Sequence, residues 1–398
     1  MPSFFIVEKR IDRLQRMAAA RPSVIGMGGG LPAGPLFPRA PLARAFVRAM
    51  REPAASALQY AWPEGRERLR GWIAERLRAR GATVSAAEVI VTSGAQQALA
   101  IAAQLLIRRG DGIGVDPETY PAALDLFRTR GARPRAGLDG VRAFYAMPVI
   151  GNPRSRAMSP AARAALLATT LPIIEDDAYA ELRFDGRVPA PLLAADRARV
   201  WHVGTFSKTL CPGLRVGWLV PPPAWLERAL EVKHATDLQS SSLGQTILEL
   251  FLEGDDFEAR LVRARRFYRA RAARLVRALR RELPGWRCDE PEGGFAVYLE
   301  SDEPGDDRTL LEVATEAGVS FDPGRIFRPD DAAAPLCLRL CFSFVGAAEL
   351  EEGARRLARA WDDYRRRRDG NALSSQRAPS ASAAGSAGRR ARPRRRAG

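Results

Sequence analysis

The chain has 398 residues, 46% of them apolar and 27% charged, with a formal net charge of +16. That length allows two domains of roughly 100–200 residues each and a core that needs no disulfide or metal staple. The composition excludes disorder as the main state, and no run approaches the ~20 apolar residues of a membrane helix. The first residues offer only Phe4-Phe5-Ile6-Val7 before charges begin, too short for a signal peptide, so a cytoplasmic protein is expected.

Apolar period and turn residues then alternate strand with helix. Strands are predicted at 89–92, 113–115, 144–149, 172–175, 200–205 and 216–220, with helices at 94–109, 120–130 and 160–168 between the first four. Such alternation predicts an α/β fold with a mainly parallel sheet covered on both faces. Beyond Pro223 the pattern turns helical, at 225–235, 243–253 and 256–283. A strand at 295–299, a helix at 309–317, a strand at 336–344 and a helix from 347 to about 366 complete a smaller α+β domain. Residues 368–398 are Ala, Ser, Gly, Pro and Arg with almost no large apolar side chain, and are expected to be a disordered Arg-rich tail.

Of the 62 basic residues, only Lys9, Lys208 and Lys233 are lysine. So strong an arginine preference, with abundant alanine, indicates coding bias rather than selection for a basic face. Residues 365–398 hold eleven arginines against Asp369 alone, which leaves the body of the chain nearly balanced. Nucleic-acid binding is therefore expected, at most, as a weak, salt-sensitive property of the tail. His202 and His234 are the only histidines, too few for a multi-histidine metal site. Cys211, Cys288, Cys337 and Cys341 have no C-x-x-C spacing. The last two lie four apart on a predicted strand, roughly 13 Å, which is too far to bridge. All four are expected as reduced thiols, and no metal is expected.

Scarcity makes the lysines informative. Lys208 follows a buried strand in Thr205-Phe206-Ser207-Lys208-Thr209-Leu210. Arginine stays protonated and cannot form an imine, whereas lysine can once burial or a neighbouring cation depresses its pKa. Lys9 and Lys233, in charged helical surroundings, are read as ordinary. A second candidate is Ile173-Ile174-Glu175-Asp176-Asp177-Ala178-Tyr179, where an apolar strand ends in three acids. Ligands of parallel sheets sit beyond the carboxyl ends of strands, so one of these acids suits a fixed anion facing a cationic ring nitrogen. A third is Thr92-Ser93-Gly94-Ala95-Gln96, a strand, a small-residue turn and a helix start, suited to an anion. Neither a P-loop nor a G-x-G-x-x-G fingerprint is present.

These segments occur in order with Gly28-Gly29-Gly30-Leu31-Pro32, Gln59-Tyr60, Asp116-Pro117-Glu118-Thr119-Tyr120-Pro121, Asn152-Pro153, Pro212-Gly213-Leu214-Arg215 and Leu338-Arg339-Leu340. Together they resemble the class I/II aminotransferases of fold type I, which use pyridoxal 5′-phosphate (PLP). The resemblance spans about 22–361 and is nearest to 2-aminoadipate-type transaminases and the aminotransferase-like part of MocR-type regulators. It implies a seven-stranded, mainly parallel PLP domain over 31–255, an N-terminal arm or small-domain segment over 1–30, and a small domain over 256–367. It also implies amino transfer between an α-amino acid and a 2-oxo acid by ping-pong half-reactions, in a homodimer with shared sites.

Carried over by residue, the resemblance makes Lys208 the covalent anchor of the cofactor and its proton shuttle. Asp176 would pair with the pyridine nitrogen, and Tyr179 and Asn152 with the ring oxygen. Gly94, Ala95, Gln96, Thr205, Ser207 and Arg215 would hold the phosphate, and Tyr120 would stack on the ring. Arg339 would bind the substrate carboxylate, with Asn152 and Gly30 beside it, and Tyr60 would reach the neighbouring subunit's phosphate. Glu175 and Asp177 are read as structural. Three departures stand out: Arg154-Ser155 where relatives carry Thr-Gly, a short stretch at 131–143, and Cys341 where relatives often carry Asn. The residues before Gly28 are too few for the winged helix of a MocR regulator. The alternatives are another PLP chemistry on this fold (decarboxylase, lyase or cyclase), or a non-catalytic protein that senses PLP or binds nucleic acid through the tail.

Overall fold

The computed structural model describes residues 23–52, 56–330 and 335–376. In chain order these form β1 (Ile25–Gly26), α1 (Arg39–Ala49), α2 (Glu67–Ala79), β2 (Ile90–Thr92), α3 (Ala95–Leu106), β3 (Gly112–Val115) and α4 (Pro121–Thr129). Next come β4 (Arg133–Ala136), β5 (Ala143–Ala146), α5 (Pro160–Ala168), β6 (Ile173–Asp176), α6 (Leu192–Ala195), β7 (Val200–Thr205) and β8 (Gly217–Val220). They are followed by α7 (Leu226–Asp237), α8 (Ser242–Gly254), α9 (Phe257–Glu282), β9 (Trp286–Cys288), β10 (Ala296–Ser301) and α10 (Asp307–Glu316). The last elements are β11 (Val319–Ser320), β12 (Asp322–Pro323), β13 (Leu336–Cys341) and α11 (Ala347–Gln376).

Seven strands form one sheet in the order β2-β8-β7-β6-β5-β3-β4, with β8 antiparallel to both its neighbours and the other pairings parallel. Successive side chains point to opposite faces of a strand. Accordingly Ile90, Tyr145 and Ile174 join one buried cluster, and Val91, Phe144 and Ile173 another. The first cluster packs beneath α3 and α4, the second beneath α2 and α8. Both faces of the central strands are thus closed to water, and His202 is buried within β7 while β4 at the edge stays polar. A second sheet, β12-β13-β10-β9, shares the first cluster through Val297, Leu299, Leu338 and Leu340. The short β1 pairs in parallel with β11, which ties the Gly28–Gly30 segment to the C-terminal half.

Side-chain caps start several helices: Ser159 accepts from Ala162 N on α5, Ser241 from Gly244 N on α8, Asp256 from Ala259 N on α9 and Asp306 from Thr309 N on α10. The N-cap of α3 is Gly94, which has no side chain to offer. The final helix runs to Gln376, past its expected end near 366, and within it Arg368 donates to Pro304 O at 3.0 Å and to Glu303 at 3.2 Å. The remainder of the tail, 377–398, lies outside the described residues, as does Lys9. The 131–143 stretch contains the edge strand β4, whose polar Arg-Pro-Arg-Ala sequence hid it from the apolar pattern.

Candidate active site

The turn between β2 and α3 is shaped by its own small residues. Gly94 adopts φ +87°, a conformation costly for any residue with a Cβ. A Cβ there would lie 2.7 Å from Arg215 Nη2, so the glycine also makes room for the guanidinium. Arg215 itself sits in the left-handed region (φ +53°) and donates from Nη2 to Ser93 O at 3.1 Å. Ser93 N donates to Gln97 Oε1 at 2.7 Å, and Gln96 Nε2 donates to Ala122 O. On the facing strand end, Thr205 Oγ1 lies 3.0 Å from Ser207 Oγ and accepts from Ser207 N at 3.1 Å. An uncapped helix start, two hydroxyls and a guanidinium therefore gather at one corner.

Asp176 closes β6 inside the protein, where Tyr145 of β5 donates to its Oδ2 at 2.8 Å and Ala178 N to its Oδ1 at 3.1 Å. Burial pushes its carboxyl up to about 6, against the lowering effect of those two donors. The neighbouring acids are occupied elsewhere. Glu175 accepts from the amides of Leu192 and Leu193 and lies 2.9 Å from His202 Nδ1, while Asp177 pairs with Arg80. Both are structural.

Lys208 Nζ reaches Gly30 O at 3.4 Å and lies 5.4 Å from the centre of the Tyr179 ring. Tyr179 packs edge-on against Phe295. Tyr120 caps α4, and burial together with Tyr179 and Asp176 pushes its phenol up to about 12. Arg339 is 8% exposed. Its Nε and Nη2 donate to Asp322 Oδ2 at 2.9 and 2.6 Å, and its Nη1 to Asn152 Oδ1 at 2.7 Å. Burial opposes that charge, but Asp322, with Cys341 and Tyr179, holds the guanidinium above its ordinary pKa. Asp322 also accepts from Gly29 N, so one carboxylate fastens the glycine segment to the arginine. Gly30, Asn152, Tyr179, Arg339 and Cys341 line one small cavity.

Tyr60 is the exception. It is 78% exposed, and no contact among the described residues joins it to this cluster. A correction concerns Lys233, which is not an ordinary surface lysine: its residue is 0% exposed and its Nζ is bonded to Asp237 and Ser240. Sequence reading also passed over Tyr145 and Asp322. A tyrosine in an otherwise apolar buried strand is a signal for the first; nothing local announces the second. As for the departures, Arg154 is held by Glu118 through two bonds of 2.9 and 3.0 Å and lies over Tyr298. Ser155 takes φ +55° with its N–H on Gly151 O. Cys341 is buried, which pushes its thiol up to about 11.

The sequence profile of the family described as aminotransferase class I and II matches residues 25–137 and 150–357. The 2-aminoadipate transaminase of Thermus thermophilus is 35% identical over 85% of this chain and 90% of that protein. The HTH-type transcriptional regulator YisV of Bacillus subtilis (strain 168) is 30% identical over 85% of this chain and 74% of that protein. Among solved structures, LysN, the α-aminoadipate aminotransferase of Thermus thermophilus, complexed with N-(5′-phosphopyridoxyl)-L-leucine, superposes with a TM-score of 0.80. It is 31% identical, covering 90% of this chain and 97% of that one. The chain belongs to the class I and II aminotransferases. It is a PLP-dependent transaminase of the fold type I architecture, moving an amino group between an α-amino acid and a 2-oxo acid.

The residues fit the cofactor. The Gly94–Arg215 approach leaves a cradle that a single Cβ would fill, next to an uncapped helix start suited to a phosphate. A buried carboxylate at Asp176 is costly alone and would be matched by a cationic ring nitrogen. Lys208 Nζ lies near enough to favour the charged form of Asp176.

Proposed function

We propose that Lys208, Asp176, Tyr179 and Asn152 run this chemistry, with the Gly94-Ala95-Gln96 turn, Thr205, Ser207 and Arg215 holding phosphate and Arg339 holding the substrate carboxylate. When bound, PLP supplies an aldehyde that condenses with amines and a protonated ring that accepts the electron pair released at the substrate Cα. Asp176, whose charge is supported by Tyr145, Ala178 N and the nearby Lys208, would hold the ring nitrogen protonated. Lys208, whose amine is held by Gly30 O, is the residue that would anchor the cofactor and take up the proton from the substrate Cα. Arg339, oriented by Asp322 and Asn152, meets the α-carboxylate as a planar fork and so fixes which Cα bond faces the base. Tyr120, at the start of α4, would stack on the ring.

The observation that carries this reading is the joining of Arg339, Asn152, Tyr179 and Gly30 in one cavity beside the Lys208 amine. The cleft running from Lys208 to Phe37 is lined by Arg263 and by Arg260, which is paired with Asp255, so Arg263 is the charge that favours donors with an acidic side chain, 2-aminoadipate among them. The test is a donor panel with 2-oxoglutarate as acceptor. Glutamate formation from an acidic amino acid supports the reading, whereas CO2 release without amino transfer replaces it with a decarboxylase.

The active form we propose is a homodimer. Phe46, Val47, Leu58, Tyr60, Trp62 and Leu238 are large apolar side chains left 45–78% exposed. The 58–62 segment is fastened to the 238–242 segment by bonds from Ala61 N to Gln239 and from Ser242 Oγ to Gln59 O. A patch of this kind favours a second copy, with Tyr60 offered to the opposite phosphate. We divide the chain into an N-terminal arm (1–30), a large cofactor domain (31–255), a small domain (256–367) and a tail, and place it in the cytoplasm, which suits its four free cysteines. No helix among the described residues is long and apolar enough to cross a membrane.

A further inference from the structure

Lys233 stands on α7, outside every role assigned above, yet it is one of three lysines in a chain with 62 basic residues and is completely buried. Its ammonium donates to Asp237 Oδ1 at 2.9 Å, one helical turn on, and to Ser240 Oγ at 3.1 Å. The other oxygen of Asp237 accepts from Ser93 Oγ at 3.2 Å, and Ser240 Oγ donates to Val91 O and lies 3.3 Å from Ser93 Oγ. Ser93 in turn offers its carbonyl to Arg215. The lysine therefore stands behind the β2–α3 turn and grips it through two side chains.

We propose that Lys233 is a positioning residue for the phosphate turn, neutralising Asp237 and fixing Ser93 so that the turn can receive a dianion. The inference rests on the reading of Gly94, Ala95, Gln96 and Arg215 as part of the phosphate site. Without the ammonium, Asp237 would be an uncompensated negative charge one hydroxyl away from a bound phosphate, and like charges at that range repel. Two acceptors in a closed space suit a compact ammonium with rotatable donors, whereas a guanidinium is planar, longer and carries five N–H groups. That explains why lysine persists here in an arginine-rich chain.

The test compares PLP with pyridoxal, which lacks the phosphate, on the full-length chain freed of cofactor. Dissociation constants are measured for the wild type, Lys233→Met, Lys233→Gln, the double variant Lys233→Met/Asp237→Asn, and Arg215→Ala. Each single lysine variant is expected to weaken PLP about tenfold or more while pyridoxal changes by no more than about twofold. The neutral double variant is expected to recover most of the loss. Equal losses for both ligands, or no recovery in the double variant, would overturn the inference and leave Lys233 a packing residue. If Arg215→Ala also keeps its preference for PLP, the phosphate-site reading itself has failed.

Discussion

Tyr145 Oη donates to Asp176 Oδ2 at 2.8 Å, and both residues are buried in adjacent parallel strands. The register pairs Tyr145 with Ile174 and Ala146 with Glu175, so the phenol reaches diagonally to the end of β6. This bond is the main support for a carboxylate that burial would otherwise neutralise. It makes Tyr145 a positioning residue for the acid, acting one layer behind the chemistry.

Asp176→Asn should lower kcat by about a hundredfold or more, because the ring nitrogen loses its anion. The same change should stabilise the cofactor-free protein. The folded carboxyl sits near 6 against an ordinary 3.8, so ionising it works against the fold as pH rises from 4 to 6. The stabilisation should be about 1–3 kcal/mol above pH 6 and vanish near pH 4. Thermal unfolding of both forms across that range checks the sign.

Tyr145→Phe removes a donor that favours the charged carboxylate. In the cofactor-free protein the Asp176 pKa should rise further, by about one unit. Stability of the cofactor-free protein, which falls as pH rises from the unfolded to the folded Asp176 pKa, should therefore keep falling to a higher pH in the variant, as thermal unfolding across that range would show. An unextended fall would mean that the phenol does not support the charge.

Asp322→Ala frees Arg339 from its strongest partner and unties Gly29. The arginine then loses its fixed orientation, so KM for the amino donor should rise about tenfold or more while PLP affinity stays within about twofold. A fall in kcat alone, at unchanged KM, would contradict a role in carboxylate binding.

Gly94→Ala forces a methyl group to 2.7 Å from Arg215 Nη2 at a positive φ. PLP should bind at least about tenfold more weakly, and the loss should be smaller for pyridoxal. Equilibrium dialysis against both ligands decides it.

The sequence made the main sheet and most of the site readable because their signals are local. An apolar run that ends in acids marks the end of β6 without choosing among Glu175, Asp176 and Asp177, a choice the resemblance made. A strand–glycine–helix turn marks the anion corner. What escaped depends on partners distant in the chain. Asp322 stands opposite Arg339 in the β12–β13 pairing, a register that no short window reveals. Lys233 looks solvated in sequence because its neighbours on α7 are charged, and only Ser240 and the closeness of Ser93 bury its role. Helices α1 and α2 escape the apolar pattern because their arginines dilute an amphipathic stripe that still buries Ala45, Ala49, Leu69, Ile73 and Leu77. The resemblance, not residue pattern alone, moved Arg339 from a surface arginine to a ligand.

The most direct test of the central claim uses the rarity of lysine in this chain. The PLP-loaded protein is treated with borohydride, digested, and mapped by mass spectrometry. With only Lys9, Lys208 and Lys233 available, the cofactor's mass should appear on the peptide that contains Lys208 and on no other. Stoichiometric label on the Lys233 peptide, or none on any lysine, would contradict the account.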